Sequence, residues 1–276
     1  MPPPPISEAA PAKVNLTLHV TGRRNDGYHL LDSVVMFADI GDRLTVAPGA
    51  LQLKVRGPMV EGVPTGPDNL VMRAAVLMGA EAAITLEKHL PAAAGIGGGS
   101  SDAAACLRAL SRMTGAGLPD DAISLGADVP VCLLARAARM RGIGDDVTPL
   151  SGMPALDAVL VNPRVSVSTP AIFERLEQRD NSGMPAALPE LKTAEAVIRW
   201  LSTQRNDLEA PATAEAPVIA EVLRDIVGTE ECRLARMSGS GATCFGLYPD
   251  AERAQAAADI LRRAHPERWI AACRLS

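Results

Sequence analysis

The densest concentration of residues able to do chemistry is Pro91-Ala-Ala-Ala-Gly95-Ile-Gly97-Gly98-Gly99-Ser100-Ser101-Asp102, glycines and hydroxyls between a strand end and a helix start. Glycine lets successive backbone N–H groups turn toward an anion, and a helix beginning here adds free amides and the positive end of its dipole. A phosphate is the natural occupant. The run is not a Walker A loop, since no Gly-Lys-Ser/Thr follows. Ser100 stands where GxGxxG would place its last glycine, and no GxSxG elbow is present. The structural alternative is a tight turn with Ser101 capping the helix, which a cluster of glycines with two hydroxyls disfavours.

Two charged residues sit among small or apolar neighbours. Asp128, within Gly126-Ala-Asp-Val-Pro130, wants a cation, a cap or a chemical role, and taken alone it reads more simply as a cap. Lys13, between Ala12 and Val14, reads alone as a lysine snorkelling from a strand end. Beside a nucleotide cradle the two supply the missing parts of phosphoryl transfer. An aspartate accepts the proton of an attacking hydroxyl, and a lysine holds that aspartate ionised and stabilises charge on the phosphoryl oxygens. Met237-Ser-Gly-Ser-Gly-Ala-Thr243 is either a hairpin turn or a close backbone approach to a ligand. The chain has few aromatics (Trp 2, Tyr 2, Phe 3). Tyr28 and His29 follow a turn, and a flat ligand stacked between Tyr28 and Phe173 would suit them, with a core role the alternative for Phe173.

These residues must be positioned by regular elements. Val14, Leu16, Leu18 and Val20 alternate with Asn15, Thr17 and His19, the period of a half-buried strand with Lys13 and Asn15 on its polar face. Asn25-Asp26-Gly27 reverses the chain into a strand over residues 28–36. Residues 43–47, 51–55 and 84–88 read as strands. Asp68 caps a helix over residues 70–79, residues 101–110 form an Ala-rich helix, and a shorter helix precedes Gly126. A boundary falls in the aperiodic stretch 148–154, giving domains 1–152 and 153–276. In the second, strands are expected at 158–161, 233–237, 242–248 and 269–274. Helices open behind a Thr169 cap and from about Pro217, and another spans 251–263; residues 179–189 form a polar loop. The proline-rich start is expected to fray.

With charged residues at 21% and a net charge of −5, composition is ordinary for a globular protein. A nucleic-acid partner is disfavoured, because phosphate-backbone binding needs clustered Lys and Arg. The five cysteines are spread without CxxC spacing, so they read as reduced core thiols. No signal-peptide pattern begins the chain and no stretch approaches a membrane span; no membrane partner and a cytoplasmic location are therefore expected.

In order along the chain, Pro11-Ala-Lys-Val-Asn-Leu, Gly22-Arg-Arg-Asn-Asp-Gly-Tyr-His, Gly95-Ile-Gly-Gly-Gly-Ser-Ser-Asp-Ala-Ala, Gly126-Ala-Asp-Val-Pro, Arg205-Asn-Asp-Leu-Glu and Met237-Ser-Gly-Ser-Gly-Ala-Thr resemble the GHMP kinase superfamily. The resemblance runs from residue 11 to about 243. The glycine loop is specific to the superfamily. PAKxNL with a following GYH is similar to the branch acting on a cytidyl-bearing alcohol of the non-mevalonate isoprenoid pathway, 4-diphosphocytidyl-2-C-methyl-D-erythritol. The resemblance implies an α+β fold of two halves, the first like the second domain of ribosomal protein S5, the second ferredoxin-like, with ATP and substrate in a cleft between them. It implies ATP-dependent phosphorylation of the substrate's 2-hydroxyl, with Mg²⁺ accompanying ATP. Lys13 and Asp128 match the catalytic pair. Pro91, Gly95, Gly97, Gly98, Gly99, Ser100 and Ser101 match the ATP phosphate loop. Asn15, Tyr28 and His29 match the substrate side, with Tyr28 and Phe173 sandwiching the cytosine, His29 hydrogen-bonding it, and Thr169 a further contact. Departures are mild: Ala92 to Ala94 and Ile96 are bulkier than in some relatives, and Cys132 stands where aromatics are common. Neither the Mg²⁺ ligands nor an oligomeric state is assigned by the sequence.

Overall fold

A computed structural model describes residues 4–92 and 94–276; the first prolines of the lead and Ala93 of the glycine loop lie outside the described residues. In chain order the elements are β1 Ile6–Asn15, β2 His19–Arg23, β3 His29–Pro48, β4 Gln52–Arg56, α1 Leu70–Leu77, β5 Ala82–Glu87, α2 Gly98–Thr114, α3 Val129–Leu134, β6 Ala138–Gly142, β7 Asp146–Pro149, β8 Leu156–Asn162, α4 Thr169–Glu174, α5 Ala194–Leu201, α6 Glu209–Glu215, α7 Val218–Val227, β9 Leu234–Met237, β10 Cys244–Tyr248, α8 Ala251–Ala264 and β11 Trp269–Leu275. They form two compact units. The first takes residues 1–13, 40–93 and 97–135, and the second 14–39, 94–96 and 136–276.

In the first unit β5 alternates buried Ala82, Ile84 and Leu86 with half-buried neighbours, as a strand with one face on a core must. It runs antiparallel to the end of β3, from Arg43 opposite Glu87 to Pro48 opposite Ala82, and parallel to β4, with Gln52 opposite Ala83. β3 continues through Gly41 and Asp42 where separate strands were expected. Gly41 allows this, because a Cβ there would overlap the backbone of Ala10 and Pro11. Helix α1 starts behind Asn69, whose side chain accepts from Val71 N at 2.8 Å, rather than behind Asp68. Helix α2 carries Ala103, Ala104 and Ala105 fully buried and packs against α1 and α3. Alanine favours the helix and lets its neighbours approach closely. Before α3 the expected short helix is one 3₁₀ turn, Ala122–Leu125.

In the second unit the strands run in the order β11-β8-β10-β9, every pair antiparallel. Taken with α7 and α8, this β8-α7-β9-β10-α8-β11 sequence is the ferredoxin-like arrangement expected. Val159, Val161, Cys244 and Ile270 from the strands join Ile219, Val222, Ile226, Ala254, Ala257 and Leu261 from the helices in one core. A second set of strands pairs β2 with β3 (His19 opposite Asp32), β3 with β6 (Leu31 opposite Gly142) and β6 with β7. The strand expected over residues 14–20 is interrupted. Leu16 N and Thr17 N both donate to Val34 O, and Leu18 N turns to Arg205 O at 2.9 Å while Asp207 N donates to Leu18 O at 2.8 Å. The cysteines are free thiols, four of them buried. No helix of the described residues is long and apolar enough to cross a membrane.

Candidate active site

The first unit brings Lys13 and Asp128 together: Lys13 Nζ donates to Asp128 Oδ2 at 2.8 Å. Lys13 is held in β1 with its side chain 4% exposed, while the Asp128 side chain is 31% exposed and open to a reactant. Asp128 does stand at the cap position of α3, but its side chain makes no capping hydrogen bond. The bland reading as a cap therefore fails, and the carboxylate is used by the lysine. Gly97 closes over this pair. Its φ is 62°, and a Cβ there would lie 3.2 Å from both Cβ and Cε of Lys13 and 3.8 Å from Asp128 Oδ2.

Helix α2 begins at Gly98, one turn earlier than the sequence suggested, because left-handed Gly97 serves as its cap. Its first i→i−4 bond is Ser101 N to Gly97 O, 2.8 Å. The amides of Gly98, Gly99 and Ser100 thus lie ahead of the ladder, at the positive end of a 17-residue helix. The Ser101 hydroxyl does not cap; it donates to Pro11 O at 2.8 Å and ties the loop to β1.

Within the second unit Gly95 packs on the turn between β9 and β10. Ser238 Oγ donates to Gly95 O at 3.0 Å and accepts from Asn15 N at 3.0 Å. A Cβ on Gly95 would come within 2.5 Å of Gly241 O, so the small residues of both loops are required by their contact. Asn206 Nδ2 donates to Met237 O and Gly239 O at 2.8 and 2.9 Å, which explains Arg205-Asn-Asp as a brace for that turn. The Asn15 side chain is buried and donates to Ser33 Oγ at 2.8 Å. Thr169 Oγ1 and Ser240 Oγ are hydrogen-bonded at 2.7 Å. Thr169 is the first residue of α4, not its cap; Ser168 takes that place.

Phe173 of α4 stacks on His29, centroids 4.5 Å apart and planes inclined by 16°. Tyr28, beside it in sequence, is 61% exposed. His29 Nε2 is buried with no hydrogen-bond partner among the described residues. Burial, then the charges of Arg23 and Arg179, lower the His29 pKa, so the ring is neutral at pH 7 and offers one donor and one acceptor.

Sequence reasoning missed Ser33, whose hydroxyl accepts from Asn15 Nδ2, since a lone serine carries no spacing signal; Ser238 stood within the 237–243 motif, but its bonds to Asn15 N and Gly95 O were not foreseen. It also missed the buried Lys88, Asp42 and Asp102 and the buried Arg139–Asp32 pair, Nε to Oδ1 2.8 Å and Nη2 to Oδ2 2.7 Å. A lysine directly after an alternating strand, Leu86-Glu87-Lys88, was the available signal for the first of these. Among the described residues no group of three His, Cys, Asp or Glu side chains gathers as a metal site.

Comparison with known proteins identifies the family of the chain. The GHMP kinases N terminal domain matches residues 69–149 and the GHMP kinases C terminal domain residues 187–267. A 4-diphosphocytidyl-2-C-methyl-D-erythritol kinase of Dinoroseobacter shibae is 62% identical over 97% of this chain and 94% of its own length. The protein of the same name from Paracoccus denitrificans is 55% identical over 98% and 96%. A crystal structure of 4-(cytidine 5′-diphospho)-2C-methyl-D-erythritol kinase superposes with a TM-score of 0.82 at 35% identity, covering 98% of this chain and 99% of that one.

Proposed function

This chain belongs to the GHMP kinases, and we propose that it transfers the γ-phosphoryl group of ATP to the 2-hydroxyl of 4-diphosphocytidyl-2-C-methyl-D-erythritol, a step of isoprenoid precursor synthesis. The observation that carries the reading is the Lys13–Asp128 pair beneath Gly97, at the foot of a helix N-terminus. In this reading residues 1–152 supply the pair and the phosphate loop, and residues 153–276 complete the enzyme.

Each part of the transfer then has a residue. The loop Pro91 to Ser101 takes the phosphates on the amides of Gly98, Gly99 and Ser100, where the α2 dipole favours negative charge. Mg²⁺ would accompany the nucleotide, where its charge would offset that of the phosphates held at the loop. Asp128 Oδ2 accepts the proton of the substrate hydroxyl as the new O–P bond forms. Lys13 aims Asp128 through its 2.8 Å contact, and its ammonium stabilises the charge spreading over the phosphoryl oxygens. On the substrate side Tyr28 and Phe173 offer faces to the cytosine, and the neutral His29 a hydrogen bond to its polar edge. Asn15 and Thr169 are further contacts. A small-molecule substrate carrying cytidine diphosphate and a cytoplasmic site of action belong to the same reading.

The test is ADP release with ATP, Mg²⁺ and 4-diphosphocytidyl-2-C-methyl-D-erythritol, run beside the same alcohol phosphate without its cytidyl group. Turnover with the first alone is expected. Turnover with neither, or equally with both, overturns the substrate assignment.

A further inference from the structure

Three buried ionisable side chains of the first unit take no part in the transfer described above. Lys88 Nζ touches Asp102 Oδ2 at 2.9 Å and lies in a still closer contact with Asp42 Oδ2. The two carboxylates share this ammonium on unequal terms. Asp42 Oδ1 also accepts from His89 N at 2.6 Å and Leu90 N at 2.9 Å. Asp102 Oδ2 is held by the lysine, and its Oδ1 is buried with no hydrogen-bond partner among the described residues. Of the two, Asp102 is the carboxylate whose charge is least supported. Burial first, and then the Asp42 charge, push the Asp102 pKa up to about 7 against the pull of Lys88. The Lys88 pKa is raised by its two carboxylates in spite of burial, so it stays charged.

The cluster lies directly under the glycine loop. Asp102 follows Ser101 in α2, and a Cβ on Gly98 would be 3.7 Å from Lys88 Nζ. Three further charged groups on neighbouring elements are engaged elsewhere. Lys13 of β1 is paired with Asp128 before α3. Arg108 of α2 binds Glu8 and the carbonyls of Ala9 and Cys132. Arg73 of α1 donates to Ser124 O.

We propose that Asp102 couples nucleotide binding to proton uptake: phosphates arriving at the loop place negative charge above a cluster of net charge −1, and Asp102 takes a proton from the solvent, leaving the neutral Lys88–Asp42 pair beneath the loop. The proton returns to solvent when the nucleotide leaves, and no bond to the ligand is formed. The proposal rests on the reading of this loop as a phosphate site. Its sign is fixed. A group that binds its proton more tightly in the complex makes affinity fall as pH rises through its free-state pKa, by no more than about tenfold per pH unit for one proton.

The experiment is calorimetric titration of the full chain with ADP and Mg²⁺ near pH 8, in buffers of different ionisation enthalpy. At that pH the nucleotide's terminal phosphate, with a second pKa of about 6, is already ionised. The native protein is expected to take up a measurable fraction of a proton per nucleotide, with Kd weakening several-fold from pH 7 to pH 8. Asp102→Asn, which keeps the shape and removes the titration, is expected to bind with no uptake and a flat profile. Native binding with no proton exchange overturns the proposal alone, as does equal uptake by a folded Asp102→Asn. Failure of the native protein to bind nucleotide overturns the phosphate site and this proposal with it. Should Asp102→Asn not fold, the native buffer series decides by itself.

Discussion

Replacing Gly97 by alanine tests the site at the point where backbone, lysine and aspartate meet. With φ at 62° the residue is left-handed, a conformation that costs an L-amino acid about 1–2 kcal/mol. The added Cβ also falls 3.2 Å from Cβ and Cε of Lys13, so the lysine must give by a few tenths of an ångström. That displacement lands on the 2.8 Å contact between Lys13 Nζ and Asp128 Oδ2. A misplacement of about 1 Å costs on the order of 100-fold in rate, so roughly 0.3 Å interpolates to about fourfold. Gly97→Ala is thus expected to lose about 1–2 kcal/mol in urea unfolding and about fourfold in kcat. Gly99→Ala is the control. Its Cβ meets only Leu70 Cδ1 at 3.6 Å, an ordinary contact. In a helix that exchange gains about 0.5–1 kcal/mol. Equal stability changes at the two positions, or a Gly97→Ala enzyme with native stability and rate, would refute the placement of Gly97 against the pair.

Other consequences follow from particular groups. His29→Phe keeps the ring that stacks on Phe173 and removes the ring nitrogens; KM for the cytidyl substrate should rise about tenfold, the worth of roughly one hydrogen bond, with kcat little changed in steady-state assays. Arg139→Met strips the buried Asp32 of its bidentate partner and frees the carbonyls of Met184, Pro185 and Ala186; about 3–5 kcal/mol should be lost in equilibrium unfolding. Burial, and then Arg205, lower the His19 pKa, so the unfolded chain binds its proton more readily and His19 costs stability as pH falls through 6.5. His19→Gln should therefore gain on the native protein between pH 7.5 and 5.5 in urea titrations, and a constant difference across that range would contradict it.

What was legible in the sequence was what short spacing encodes. The glycine loop, the Lys13 and Asp128 neighbourhoods and the strands β5 and β11 are local patterns. What failed to show was decided by partners distant in sequence. Strand 14–20 breaks at Leu16 because Val34 O and Arg205 O claim its amides. Helix α2 starts at Gly98 because Gly97 can be left-handed, and this frees Ser101 to hold Pro11 instead of capping. Asn69 outcompetes Asp68, and Ser168 outcompetes Thr169, as caps one residue away. Helix α5 was read as nothing, although Thr193 caps it through Ala196 N at 3.1 Å. The Phe173 partner is His29, a pairing no spacing between residues 29 and 173 could reveal.

The most direct test of the account is Asp128→Asn, assayed for turnover and, separately, for nucleotide binding. The variant keeps the shape and a hydrogen-bond acceptor for Lys13 but cannot take up the hydroxyl proton, so kcat should fall by at least about 100-fold. ADP affinity should stay within about threefold, a difference of under 1 kcal/mol. A variant that turns over at the native rate would remove Asp128 from the chemistry and contradict the assignment built on its pairing with Lys13.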